Sequence, residues 1–239
     1  MDRRLKQKKK GGMSRGFWNT ADHLYIFDGD ASDQLGSLDL TLAGSSPTDY
    51  EFGEFARLGS VGYYGLSSYG TSDIRSSGSI TLGSDATVAW ISRHDNNQPL
   101  HEYECVWSLD DNMNGSGVIV FRLENTTYDE FGIWVGGSYH VWQYQPIHTG
   151  EFHLWALTLS GNTVRVYLDG VVSPVTGGAS DTYRWLGAGR ESARLRLSHH
   201  PSNPLYQGLA DFGALAIWEN DCLDATEIQS LDSRWLAAV

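Results

Sequence analysis

The 239-residue chain is 41% apolar and 19% charged and contains 27 Gly and nine Trp, a composition that favours short strands joined by tight turns over helices. Its formal net charge of −12 opposes nucleic acid or anionic membrane as the main partner. No stretch approaches the ~20 apolar residues that span a bilayer, and MDRRLKQKKKGG lacks the apolar run of a secretory signal, so we expect neither membrane insertion nor that route of export.

The first segment of the chain is basic. Residues 1–15 hold seven of the 17 basic residues and one of the 29 acidic residues, so residues 16–239 carry a net charge near −18. Such an arm is either a solvated tail or a docking peptide for an acidic protein surface or nucleic acid. We divide the chain into a basic arm, 1–16, and one domain, 17–239. The docking residues would be Arg3, Arg4, Lys6, Lys8, Lys9, Lys10 and Arg15.

Strand-like segments follow the arm almost throughout. Runs of β-branched and aromatic residues, some alternating with polar ones, predict strands. In chain order they are Tyr25–Phe27, Thr87–Ile91, Cys105–Leu109, Val118–Leu123, Phe131–Val135 and Tyr139–Tyr144.

The segment 152–172, FHLWALTLSGNTVRVYLDGVV, predicts a hairpin. Trp155, Leu157 and Leu159 share one strand face, and Val164, Val166 and Leu168 return on one face after the turn Ser160-Gly161-Asn162. Asp169-Gly170 supplies a second turn. Near the C-terminus, Asp224 is placed to cap a short helix that carries Glu227, Ile228, Leu231 and Trp235.

Three segments together resemble the concanavalin A-like jelly roll in its laminin-G-like form. They are YIFDGDASDQLGSLDLTL at 25–42, the hairpin at 152–172, and GLADFGALAIWENDCLDATEIQSL at 208–231. The resemblance implies an all-β fold, a two-sheet antiparallel jelly-roll sandwich with a short C-terminal helix. It also implies a surface that binds carbohydrate or protein, and in some members a bound calcium ion.

Calcium prefers several oxygen ligands, and Asp28, Asp30 and Asp33 supply three carboxylates within six positions. The resemblance adds Asp211, where family members often place an acid near the first strand. Alternatively, these carboxylates cap turns and pair with arginines such as Arg57 or Arg194.

A sugar site needs aromatic faces that stack on the sugar ring and polar neighbours that bind its hydroxyls. His140, Trp142 and Tyr144 would share one strand face, and Tyr63 and Tyr64 form a second cluster in a glycine-rich segment. Alternatively, these aromatic residues fill the core.

Catalysis is not expected. Paired carboxylates of a retaining glycosidase lie ~5–5.5 Å apart, but His101-Glu102-Tyr103-Glu104 lacks a third acid in place, and Asp129 and Glu130 are adjacent and so point to opposite faces. Gln145-Pro146-Ile147-His148 imitates the lyase motif Gln-Ile-His, yet its proline disfavours an interior strand. His199-His200 lack a recognisable set of metal ligands.

The resemblance implies binding of an extracellular type, whereas the missing secretory signal and two cysteines expected to stay reduced indicate synthesis without export. A protein that is made in a cytoplasm and then displayed on a particle reconciles the two. The sequence therefore predicts a phage or virus surface protein, made in the host cytoplasm, whose arm docks onto other virion proteins and whose domain contacts surface glycans. The alternatives are an extracellular lectin-like carbohydrate binder and a jelly-roll glycosidase or polysaccharide lyase.

Overall fold

A computed structural model describes residues 16–27, 30–43, 50–52, 56–58, 73–94, 104–109, 118–124, 129–135, 138–144, 152–161, 163–172, 193–197 and 210–231. These residues form two antiparallel sheets and one short α-helix. The all-β sandwich expected from the sequence is therefore confirmed.

The first sheet has eight strands. Its order is β13(Val171–Val172), β12(Thr163–Leu168), β11(His153–Ser160), β6(Asp85–His94), β15(Ala210–Trp218), β4(Ala56–Leu58) and β3(Tyr50–Phe52), and β1(His23–Ile26) also pairs with β15. Strands from both ends of the domain thus meet at β15.

The second sheet has seven strands. Its order is β10(Ser138–Tyr144), β9(Asp129–Val135), β8(Val118–Glu124), β7(Glu104–Leu109), β14(Arg196–Leu197), β5(Asp73–Ser76) and β2(Leu40–Ala43). All six strand segments predicted from the sequence fall on strands of the two sheets.

The main core lies between the sheets and is built on aromatic rings. Trp90 of β6 packs edge-on against Trp107 of β7, with ring centroids 5.5 Å apart, and stacks on Trp155 at 6.3 Å. From β8, Val118 and Val120 turn to this core. The sheets are therefore joined by a contact between large rings, which bury much apolar area.

The predicted hairpin is β11 and β12. Trp155, Leu157 and Leu159 share the main core with Val164 and Val166, as the period of two requires. Gly161 adopts a positive φ of 55° in the turn, and Asp169-Gly170 forms the second turn, with φ values of 48° and 78°.

A second apolar cluster covers the outer face of the eight-stranded sheet. Its residues include Trp18 from a short 3-10 helix, Gly16–Thr20, and Ile228 from α1(Ala225–Ser230). Asp224 caps α1 with a full capping box, as the sequence predicted. The helix ends at Ser230, so Leu231 follows it as the C-cap rather than lying within it, and Trp235 lies outside the described residues. Within the described ranges, no helix has the length and apolar character to cross a membrane.

Candidate functional site

Asp33 lies in a buried hydrogen-bond network, formed with His23 and Glu219, that connects the opening loop to the eight-stranded sheet. Its Oδ2 is 2.6 Å from His23 Nδ1, and His23 Nε2 is 2.9 Å from Glu219 Oε1. Asp33 Oδ1 also accepts the backbone N–H groups of Leu24 and Gly36 at 3.1 and 2.9 Å. Both oxygens of this carboxylate are thus already hydrogen-bonded within the protein.

Asp211 is engaged elsewhere. Its Oδ2 accepts a hydrogen bond from Arg93 Nε at 2.7 Å, and the strand register places it opposite Arg93 on one side and Arg57 on the other. The register also pairs Tyr25, the bridge partner of Asp33, with Leu215. Four residues of strand, roughly 13 Å, separate Leu215 from Asp211, so Asp33 and Asp211 do not share one site.

The other acids of the predicted calcium set do not extend it. Asp30 is exposed and its Oδ1 accepts the N–H and hydroxyl of Ser32 in a local turn, whereas Asp28 lies outside the described residues. Among the residues that the structure describes, no three His, Cys, Asp or Glu side chains are arranged to hold a metal ion. Calcium binding stays a prediction that rests on the sequence.

The strand that carries the predicted sugar-binding residues is present as β10. His140 pairs with Ile133, which pairs with Val120, and Val120 turns to the main core. Directly opposed residues share a face of a sheet, so His140 occupies the register position that continues the line of Val120, and Trp142 and Tyr144 follow it at intervals of two residues. Their predicted role in sugar binding stays a prediction. Tyr63, Tyr64 and the arm residues lie outside the described residues. Their predicted roles stay predictions.

Both cysteines are free. Cys105 is fully buried, and burial holds the pKa of its thiol well above the ordinary value. Cys222 is half-buried and burial also raises the pKa of its thiol, so neither thiol has the depressed pKa that a reactive cysteine needs. That both thiols stay reduced remains a prediction.

A different set of residues crosses the outer face of the seven-stranded sheet, and we call it the outer row. The strand register aligns one residue from every strand of that sheet, from β2 to β10. The outer row is Thr41, Arg75, Arg196, Ser108, Ile119, Trp134 and Tyr139. Because neighbouring strands lie about 4.8 Å apart, the row is roughly 29 Å long.

The outer row combines three kinds of chemistry. Thr41 is exposed, the two arginines are half-buried, and Ser108 at its centre is fully buried. Aromatic residues, Trp134 and Tyr139, occupy the positions toward the β10 edge. Hydroxyl, guanidinium and aromatic groups together are what a ligand with polar and apolar faces requires.

A buried serine positions the arginine end of the row. The Ser76 hydroxyl accepts the backbone N–H of Leu195 at 3.0 Å, and Ser76 N donates to Leu195 O at 2.9 Å. These bonds hold the two-residue strand β14 beside β5. Leu195 and Leu197 point into the main core, so Arg196 between them points outward.

The two sheets differ in what lies over their outer faces. The 3-10 helix and α1 cover the eight-stranded sheet, whereas no helix among the described residues packs on the seven-stranded sheet. The outer row is therefore our candidate functional site.

Sequence reasoning did not find this row, because its members come from seven separate strands. A local signal for its centre was present: Ala193-Arg194-Leu195-Arg196-Leu197 alternates with a period of two over five residues. Such a short run gives no indication of its partners in the sheet.

Comparison with known proteins finds relatives by structure alone. No protein-family model and no curated protein sequence matches the chain. Domain 4 of AbnA, a GH43 extracellular arabinanase from Geobacillus stearothermophilus solved with arabinotriose, is 18% identical with a TM-score of 0.59, and the match covers 88% of this chain and 97% of that domain.

Two larger proteins contain a similar sandwich. Trypanosoma rangeli sialidase is 10% identical with a TM-score of 0.61 over 90% of this chain. The binding domain of botulinum neurotoxin serotype D is 10% identical with a TM-score of 0.58 over 91% of this chain. The matched part spans 32% of the sialidase chain and 51% of the chain of the neurotoxin binding domain. At these identities the likeness establishes the fold, a β-sandwich.

Proposed function

We propose that this chain is a carbohydrate-binding module of the concanavalin A-like type that holds a glycan along the outer row. The observation that carries the proposal is the alignment of hydroxyl, guanidinium and aromatic positions across all seven strands. The ligand would lie across the strands and contact the exposed and half-buried positions of the row, Thr41, Arg75 and Arg196, whereas Ser108 at its centre is fully buried and would not touch it.

The chemistry of the row fits a sugar chain. A pyranose ring has an apolar face that stacks on aromatic rings, and aromatic positions fall on adjacent strands at Trp134 and Tyr139. Sugar hydroxyls both donate and accept hydrogen bonds, which Thr41 can match with its hydroxyl and Arg75 with its N–H groups. The row is long enough for several rings.

Similar folds support this interpretation. Domain 4 of AbnA was solved with arabinotriose, and its length is almost fully matched, while the neurotoxin neighbour is a binding domain. Two of these neighbours are a sialidase and a domain of an arabinanase, so an enzymatic role is the alternative. Non-catalytic binding remains our expectation, because the sequence offers no convincing pair of carboxylates at glycosidase spacing.

The proposal predicts that aromatic residues of the outer row matter and that their neighbours on the opposite face do not. Trp134→Ala and Tyr139→Ala should each weaken glycan binding by about 0.5–1.5 kcal/mol, the usual contribution of an aromatic stack. We would screen the full chain on an array of neutral and acidic oligosaccharides and measure the strongest binder by titration calorimetry.

His140→Ala is the matched control, since His140 follows Tyr139 on the same strand and faces the other way in the register. Binding that depends on His140, Trp142 and Tyr144, and not on Tyr139, would move the site to the residues that the sequence predicted. An array with no binding at all would remove the carbohydrate proposal.

Display on a virion and docking through the arm remain hypotheses from the sequence. A glycan-binding face on the sandwich is compatible with both, because the arm and the row belong to different parts of the chain. Deleting residues 1–15 should leave glycan binding unchanged if the row alone carries it.

A further inference from the structure

We infer that the glycan is acidic: Arg75 and Arg196 form a carboxylate-binding point within the outer row. This inference rests on the proposed function and names the ligand class of the same site. It draws on the placement of two cationic side chains that the strand register brings side by side.

The geometry pairs these arginines directly. Arg196 of β14 is opposite Arg75 of β5, and each lies between residues that point into the protein, Leu195 and Leu197 for Arg196, Ile74 and Ser76 for Arg75. Both side chains therefore project from the outer face, and both are half-buried.

A pair of guanidinium groups suits a carboxylate. Each guanidinium has five N–H donors in a planar fork that matches the two oxygens of a carboxylate. A guanidinium that already donates a hydrogen bond within the protein still has N–H groups that can donate to a ligand. Partial burial strengthens such a contact because less water competes for it.

Residues 16–239 contain only ten arginines and no lysine, so two of the few cations of the domain lie opposite each other in the strand register. Since residues 16–239 are strongly acidic, their overall field repels anions, and any preference of the sandwich for an acidic glycan must come from a local site.

The row also sets a minimum length for the ligand. Arg196 and Trp134 are separated by three strand spacings, roughly 14 Å. A glycan that places a carboxylate on the arginines and a ring on Trp134 therefore contains several sugars. Monosaccharide acids would reach one end only and bind weakly.

The test uses oligogalacturonates of defined length and the same oligomers with their carboxylates methyl-esterified. We expect the full chain to bind the acids, with affinity rising with the length of the oligomer. The esters should bind at least roughly tenfold more weakly, because charge-assisted hydrogen bonds are lost. Titration calorimetry at physiological salt measures both.

Three variants locate the effect. Arg75→Gln and Arg196→Gln should each weaken binding of the acids roughly tenfold, and Arg196→Lys should also weaken it, because lysine keeps the charge and loses the fork. Arg165→Gln is the matched control: Arg165 is an exposed residue on β12 of the other sheet, and its loss changes the net charge equally. Thermal unfolding of each variant confirms that it is folded.

Three outcomes would overturn the inference. If acids and esters bind equally while Trp134→Ala weakens both, the carbohydrate site stands and its acidic specificity is wrong. If the preference for acids survives in the double variant Arg75→Gln/Arg196→Gln, the basic arm or another surface carries it. If neither form nor any glycan on the array binds, the proposed function itself falls and takes the inference with it.

Discussion

His23 shows at the scale of one residue how protonation is coupled to folding. Burial alone would lower the pKa of its imidazole, but hydrogen bonds and charge from Asp33 and Glu219 together outweigh it and raise the pKa above 6.5. Burial would raise the pKa of Asp33, whereas the bond from His23 and the backbone N–H groups of Gly36, Leu24 and Leu38 hold it below 3.8. The folded state thus favours an imidazolium between carboxylates.

The sign of the resulting pH dependence follows from these shifts. A raised histidine pKa contributes stability that is present below pH 6.5 and is lost as pH rises through the folded pKa. The lowered Asp33 pKa contributes stability that is present above pH 3.8 and is lost as pH falls through its folded value. The hydrogen-bond network of Asp33, His23 and Glu219 therefore contributes most to stability in mildly acidic solution.

We predict that His23→Gln lowers the free energy of unfolding more at pH 6 than at pH 9, since only the imidazolium benefits from both carboxylates. Urea unfolding at a series of pH values measures the difference from the unmodified chain. His153→Gln is the control, because His153 pairs with one half-exposed carboxylate, that of Asp169. Equal destabilisation by His23→Gln at both pH values would contradict the prediction.

Asp33 also shows where interpretation of the sequence reached its limit. An acid in a glycine-rich turn is equally typical of a calcium ligand and of a side chain that binds backbone N–H groups. Gly36 favours the second role, because a methyl group there would overlap Asp33 Oδ2 and His23 Nδ1. The spacing Asp33-x-x-Gly36 was visible in the sequence, but His23 and Glu219 are not near it in the chain.

Among the elements, β14 has an effect out of proportion to its two residues. It joins β7 to β5 and carries Arg196. The hydroxyl of Ser76 accepts the backbone N–H of Leu195, the residue that directly precedes β14. Ser76 is fully buried, so its loss would leave the Leu195 N–H without that acceptor.

We predict that Ser76→Ala costs about 1–3 kcal/mol of stability, the usual penalty for a buried donor that loses its acceptor. It should also weaken binding of oligogalacturonates, because Arg196 would no longer be fixed opposite Arg75. Urea unfolding and titration calorimetry measure the two effects. Ser77→Ala, one exposed residue further on, should change stability by less than about 0.5 kcal/mol, and equal effects of both substitutions would refute this role for Ser76.

The sequence predicted where the longer strands lie better than which face of each strand is buried. β11 and β12 were correct to the residue on the core side because their alternation is long and a turn fixes their register. For β10 the alternation was visible too, yet it does not say which face is buried. That depends on β9 and β8, which are paired through the register of Ile133 with Val120. Very short strands such as β14 showed a period of two over a few residues, which gives no indication of their partners in the sheet.

At the scale of the whole molecule, the sheets are held together by the ring contacts of Trp90. This side chain is fully buried and touches Trp107 of the opposite sheet and Trp155 of its own. We predict that Trp90→Ala lowers the free energy of unfolding by about 3–5 kcal/mol, the cost of a large aromatic cavity. Urea unfolding followed by near-UV circular dichroism measures it, with Trp90→Phe expected to cost less.

A loss below about 1 kcal/mol for Trp90→Ala would mean that the sheets are joined mainly by other contacts. The Trp fluorescence transition should coincide with that of the backbone signal if the sheets unfold as one unit.

The narrow junction at β14 has a consequence for how the sandwich would respond to a ligand. Among the described residues, backbone pairing between the four strands β10 to β7 and the pair β5 and β2 passes through the two residues of β14. We call this junction the seam, and we expect the sheet to open there most readily. A glycan on the outer row would have its acid on one side of the seam and its stacked rings on the other. Because it would contact the strands on both sides of the seam, the glycan would oppose opening of the sheet there. Amide hydrogen exchange should then be slower on both sides, and the bound sandwich should be stiffer than the free one.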